Sequence, residues 1–148
     1  MTGSVSPILW PTLALVALIF VVWSTLFVQR GRQIRARPPK DADLASSEAA
    51  RAYFAPVEMP ANNLANLFEM PVLFFALVPL LILTGGDDLI QMILGWGYVA
   101  ARATHSYFHI VVKRVLPRLR AYLASCAILF AMWVGFAIDL IFAAGSPG

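Results

Sequence analysis

The chain has little of what a water-soluble domain needs. Its one cysteine, Cys126, excludes an intrachain disulfide and leaves the redox compartment open. Only 13% of its 148 residues are charged, against 60% hydrophobic, which is too little polarity to cover a soluble domain. Lys and Arg are absent from the N-terminal residues, from Gly85 to Asp88 and from the C-terminal tail. There is no internal repeat and no extended low-complexity tract. With eight acidic residues and two histidines in the whole chain, any carboxylate or imidazole inside an apolar run stands out.

What is present is a set of long apolar runs. Segments of about 20 mostly apolar residues can cross a bilayer core as helices, and they fall at residues 8–28, 61–84, 89–112 and 121–144. The expected fold is therefore all-α: a single polytopic membrane domain built as a four-helix bundle. The first run is too long for an ordinary signal-peptide core and follows no basic side chain, so it reads as a retained helix. Every Lys and Arg except Arg102 lies in two connections, residues 29–60 and 113–120. By the positive-inside rule both basic loops face the cytoplasm and both termini face the other side. The formal charge of +3 thus reports topology and contact with anionic lipid. A nucleic-acid partner is not indicated, because the basic residues line membrane borders without interleaved aromatics.

Gly85, Gly86, Asp87 and Asp88 predict a tight turn joining the second and third helices as a hairpin. The long loop 29–60 carries Pro38 and Pro39, which stop a helix. Its Ala-rich stretch from Asp43 to Phe54 reads either as a short interfacial helix, with Glu48 and Arg51 at i,i+3, or as a solvated linker. Gly95 and Gly97 permit close helix contact. The four tryptophans fit packing and interfacial anchoring. Phe68, Phe74 and Phe75 read as packing or lipid contact, and Asp139 as a hydrated or subunit-facing carboxylate.

Two of the apolar runs carry polar stripes. Asn62, Asn66 and Glu69 recur at i, i+4 and i+7, and Arg102, His105 and His109 at i, i+3 and i+7, so each set shares one helix face. Ionisable residues in hydrocarbon are costly and point at partners or a polar cavity. Glu69 and Arg102 lie at similar depth on hairpin partners, which predicts an ion pair between them. Pro71 should free a backbone carbonyl near Leu67, tolerable where a neighbour or water satisfies it. Three readings stay open: a ligand site, a structural network locking helices or subunits together, and a metal site built from His105, His109 and Glu69.

Asn66, Glu69 and Pro71 in the second helix, Arg102, His105 and His109 in the third, and Arg118 at the mouth of the fourth resemble the MAPEG superfamily, the membrane-associated proteins in eicosanoid and glutathione metabolism. The likeness is greatest to its bacterial branch. The resemblance implies a homotrimer in a bacterial inner membrane, with glutathione as co-substrate held between subunits near the cytoplasmic side. It implies glutathione-binding roles for Asn66, Glu69, Arg102, His105 and an arginine ending the first helix, Arg30 or alternatively Arg32. Arg118 and His109 would act on the thiol, and an apolar electrophile or lipid peroxide would be the acceptor. Asn62 and Ala65 depart from the pattern, standing where eukaryotic relatives carry arginines. The alternative is a non-enzymatic structural or interaction subunit of a membrane assembly with this fold.

Overall fold

The computed structural model describes residues 5–145. Six α-helices and no strands occur among the described residues: α1 Leu9–Ala36, α2 Ser47–Phe54, α3 Met59–Leu67, α4 Pro71–Thr84, α5 Leu89–Tyr107 and α6 Val115–Gly145. A π-helical turn, Phe108–Val112, extends α5.

Several boundaries differ from those expected. The first helix continues past Val28 to Ala36, since nothing breaks it before Pro38. That proline forces Arg37 into an extended conformation, φ −141° and ψ 91°, and ends the helix there. Arg30, Arg32 and Arg35 are thus on α1, not in the loop. The last helix likewise starts at Val115, placing Arg118 and Arg120 on its first turns. The second expected helix is two helices, α3 and α4, separated by a turn at Phe68–Met70. Pro71 heads α4, a position where the missing N–H costs nothing.

The loop between α1 and α3 is ordered. Ser46 caps α2 by accepting the Ala49 N–H at 3.1 Å. The Tyr53 hydroxyl donates to the Arg37 carbonyl, and Arg37 pairs with Asp43 at 3.4 Å. The short-helix reading of this segment holds and the linker reading does not.

At the opposite end, Gly85 ends α4 in the left-handed region at φ 69°. Gly86 N–H bonds Leu81 C=O at 2.8 Å and Gly85 N–H bonds Ile82 C=O at 3.3 Å, a Schellman closure. Asp88 then caps α5 by accepting the Gln91 N–H at 2.8 Å. The Ser6 hydroxyl donates to Asp87, so the start of α1 and the α4–α5 turn share one end of the bundle.

The core is made of Ile8, Leu15, Phe74, Leu77, Leu81, Tyr98, Leu129 and Met132, each at most 1% exposed. Phe74 stacks on Tyr98 with centroids 5.0 Å apart, which makes it core and not lipid contact. Phe68 is exposed. A Cβ on Gly95 would lie 3.0 Å from Ile8 and 3.2 Å from Pro11, so this glycine sets the approach of α1 to α5. Gln91, 3% exposed, donates to the Met132 carbonyl at 3.1 Å and ties α5 to α6.

Three helices are long and apolar enough to cross a membrane: Leu9–Ala36, Met59–Thr84 taken as one, and Val115–Gly145. Each carries large exposed apolar side chains, among them Phe20, Leu83 and Phe130, as lipid-facing helices do. The chain is an integral membrane protein. The fourth expected span, α5, is not in that set because it is more polar. Its Gln91 end meets Met132 and its His105 end meets Arg118, so it runs antiparallel to α6 along the bundle.

Candidate functional site

The break between α3 and α4 organises the polar residues. With α3 stopped at Leu67, the Asn66 carbonyl lies in its last turn and accepts from Arg102 Nη2 at 2.6 Å. A cation at a helix C-terminus also complements the helix dipole. The freed carbonyl is one residue from the Leu67 expected, and a neighbouring helix satisfies it.

Arg102 is 0% exposed, and its guanidinium sits 5.5 Å from the Tyr122 ring centroid. Its Nε and Nη1 have no partner. The expected ion pair with Glu69 is not formed. Glu69 is exposed, and the one ion pair among the described residues is Arg37–Asp43. Helical phase explains this. The inward stripe of α3 is Pro60, Asn63 and Leu67, while Asn62, Asn66 and Glu69 follow the edge of an open groove.

That groove, about 370 Å³, is lined by Asn62, Asn66, Glu69, His109 and Arg118, together with Met59 and Ala65. A second hollow of about 220 Å³ shares Asn66 and Arg118 and adds His105 and Tyr122. The groove alone falls in the size range of small-molecule sites, roughly 300–1,000 Å³. Glu69 offers an acceptor for an ammonium, and Arg118 with the two amides offers donors for a carboxylate.

His105 and His109 are 2% and 3% exposed. His105 Nδ1 lies 3.0 Å from the Arg118 carbonyl; a carbonyl only accepts, so Nδ1 carries the proton. The His109 ring is 5.5 Å from that of His105. His109 belongs to the π turn, which ends where Lys113, at φ 57°, donates its N–H to the Phe108 carbonyl at 2.8 Å. Such turns recur at functional sites.

The structure therefore gathers Asn66, Glu69, His105, His109 and Arg118 around two hollows that share Asn66 and Arg118. Arg102 lies behind them and lines neither. Arg30 is also elsewhere, its guanidinium 4.8 Å from the Phe54 ring centroid with Nε buried and unpartnered. Arg32 lies on an outward face of α1 with Phe20, Val21 and Gln29. Among the described residues His105, His109 and Glu69 do not come together as a cluster that could hold an ion.

Asn63 was not foreseen. It is 0% exposed and accepts from the Ser106 hydroxyl at 3.4 Å. Its i+4 spacing to Leu67 was the available signal.

Comparison with curated proteins and comparison with solved structures return no match. A family model does match, over residues 8–138. It spans all six helices up to the late turns of α6, and with them every residue around the two hollows. The chain belongs to the MAPEG family.

Proposed function

We propose that this protein is a glutathione-dependent transferase or peroxidase of the membrane. In this reading it is a homotrimer with α5 as its fourth span, basic loops in the cytoplasm, termini outside, and a bacterial inner membrane as its home. The observation that carries the reading is the convergence of Glu69, Arg118, His109 and two asparagines on one open groove. A tripeptide with two carboxylates and one amine needs such a mixed set. Glu69 takes the amine, while Arg118, Asn62 and Asn66 take one carboxylate. Arg30, in the last two turns of α1, supplies the cation for the second carboxylate across a subunit boundary. Arg102 and His105 hold the Asn66 carbonyl and the first turn of α6 in position. Arg118 and His109 act on the thiol, whose thiolate is the nucleophile, and the acceptor is an apolar electrophile or lipid peroxide arriving through the bilayer.

One set of contacts favours a second reading. Arg102 on the Asn66 carbonyl and Gln91 on the Met132 carbonyl are interhelical polar links of the kind that hold membrane bundles together. They suit a non-enzymatic structural or interaction subunit. Calorimetric titration of glutathione into purified protein, with its oligomeric mass measured alongside, separates the two. Saturable binding to a trimer supports the enzyme. A trimer that ignores millimolar glutathione supports the scaffold.

A further inference from the structure

Two buried imidazoles lie side by side at the groove, and each has a ring nitrogen that no protein atom satisfies: His105 Nε2 and His109 Nδ1. Such groups are costly to leave unpaired, so buried nitrogens of this kind mark a bound water or a catalytic role. The tautomer of the first ring is fixed. The Arg118 carbonyl takes the proton on His105 Nδ1 at 3.0 Å, leaving Nε2 as a lone pair. The two rings meet edge to face with centroids 5.5 Å apart, and one bridging water would join His109 Nδ1–H to that lone pair. His109 Nδ1 is sealed from solvent, so Nε2 is the nitrogen that the ring presents to the groove it lines.

We infer that Arg118 C=O, His105 and His109 form a fixed chain ending in a lone pair at His109 Nε2, a general base for a thiol in the groove. The inference rests on the glutathione reading above. In the step, the S–H bond breaks and its electron pair stays on sulfur. The proton goes to His109 Nε2, and the proton on His109 Nδ1 passes to His105 Nε2. Product release returns one proton to water and restores both tautomers. His109 is the catalytic residue and His105 the positioning one. The charged and titratable groups facing the pair are Arg118 and Tyr122 from α6, Glu69 from the turn after α3, and Arg102 from α5. Arg118 remains to pair the thiolate once the proton has left.

The test follows the thiolate of bound glutathione by its ultraviolet absorbance across pH, with affinity measured separately by calorimetry. Wild-type protein should hold bound glutathione partly as the thiolate at neutral pH, with a signal that falls along one acidic limb as sulfur is reprotonated. His109→Ala should lose at least tenfold in thiolate formation, with a loss of affinity no larger than that, and added imidazole should restore part of the signal. His105→Leu should displace the acidic limb without abolishing it. Wild-type protein that binds glutathione only as the thiol at neutral pH overturns the chain whatever the variants do. So does full thiolate formation in a folded His109→Ala protein. Failure of wild-type protein to bind glutathione overturns the functional reading and the base with it. Binding without thiolate formation removes the base alone.

Discussion

Glu69→Gln separates a ligand site from a structural network more cleanly than any other single change. The carboxylate is exposed and in no ion pair, so the isosteric amide removes a charge without opening a cavity or orphaning a partner. Stability should move by less than about 0.5 kcal/mol, as for an ordinary surface substitution. If the groove holds an ammonium on Glu69, the variant loses a charge-assisted hydrogen bond of about 1.5–3 kcal/mol. At 1.4 kcal/mol per decade, Kd rises roughly 10- to 100-fold. The groove is open, and salt screens exposed pairs, so the lower end is expected at physiological ionic strength. Wild type and variant should be titrated with glutathione in one detergent, with thermal unfolding and oligomeric mass in parallel. An unchanged Kd in an intact variant refutes the assignment of Glu69. A variant whose oligomeric mass falls below that of wild type shows that the carboxylate serves assembly.

Three further expectations follow from packing and hydrogen bonding. Arg102→Met should be far milder than Arg102→Ala in an unfolding titration. Met fills the space and relieves an unpaired buried cation, whereas Ala adds the cost of a cavity, on the order of 2–5 kcal/mol; equal losses would mean that the bond to the Asn66 carbonyl dominates. Gly95→Val should destabilise by about 1–3 kcal/mol, because Ile8 and Pro11 leave no room for a branched side chain, and an unaltered melting profile would contradict the packing of α1 on α5. Tyr53→Phe should lose about 0.5–1.5 kcal/mol of local order, read as faster proteolysis within residues 37–58 while the spans stay protected; equal cleavage rates would show that the Arg37 carbonyl does not hold the loop.

The helical class and the membrane setting were legible because apolar run length is a one-dimensional quantity, and the α4–α5 turn because Gly85 and Asp88 carry their own local chemistry. Boundaries were not. Gln29 to Ala36 is polar enough to read as loop, yet nothing in it stops a helix until Pro38 acts on Arg37. The inward stripe Arg102, His105 and His109 was readable from spacing, since α5 keeps phase through His105 and the π turn that follows leaves His109 buried as well. The stripe on α3 was not, because phase is relative and Pro60, Asn63 and Leu67 claim the core side.

The Glu69–Arg102 pair failed for a reason that bears on function. Matching depth on two hairpin helices makes an ion pair plausible only if both side chains turn toward each other. The turn at Phe68–Met70 carries Glu69 outward and brings the Asn66 carbonyl inward to meet the guanidinium. Burying Arg102 against a backbone dipole instead of a carboxylate leaves it poorly compensated, but it releases Glu69. An acid neutralised inside the bundle would have had no charge to offer a ligand. The same break before Pro71 therefore splits the second span and leaves Glu69, the one carboxylate lining the groove, exposed. Restoring a continuous helix with Pro71→Ala should return the Asn66 carbonyl to its own helix, turn Glu69 inward and abolish binding even though every groove residue is still present. Undiminished glutathione affinity in Pro71→Ala would show that the break is dispensable.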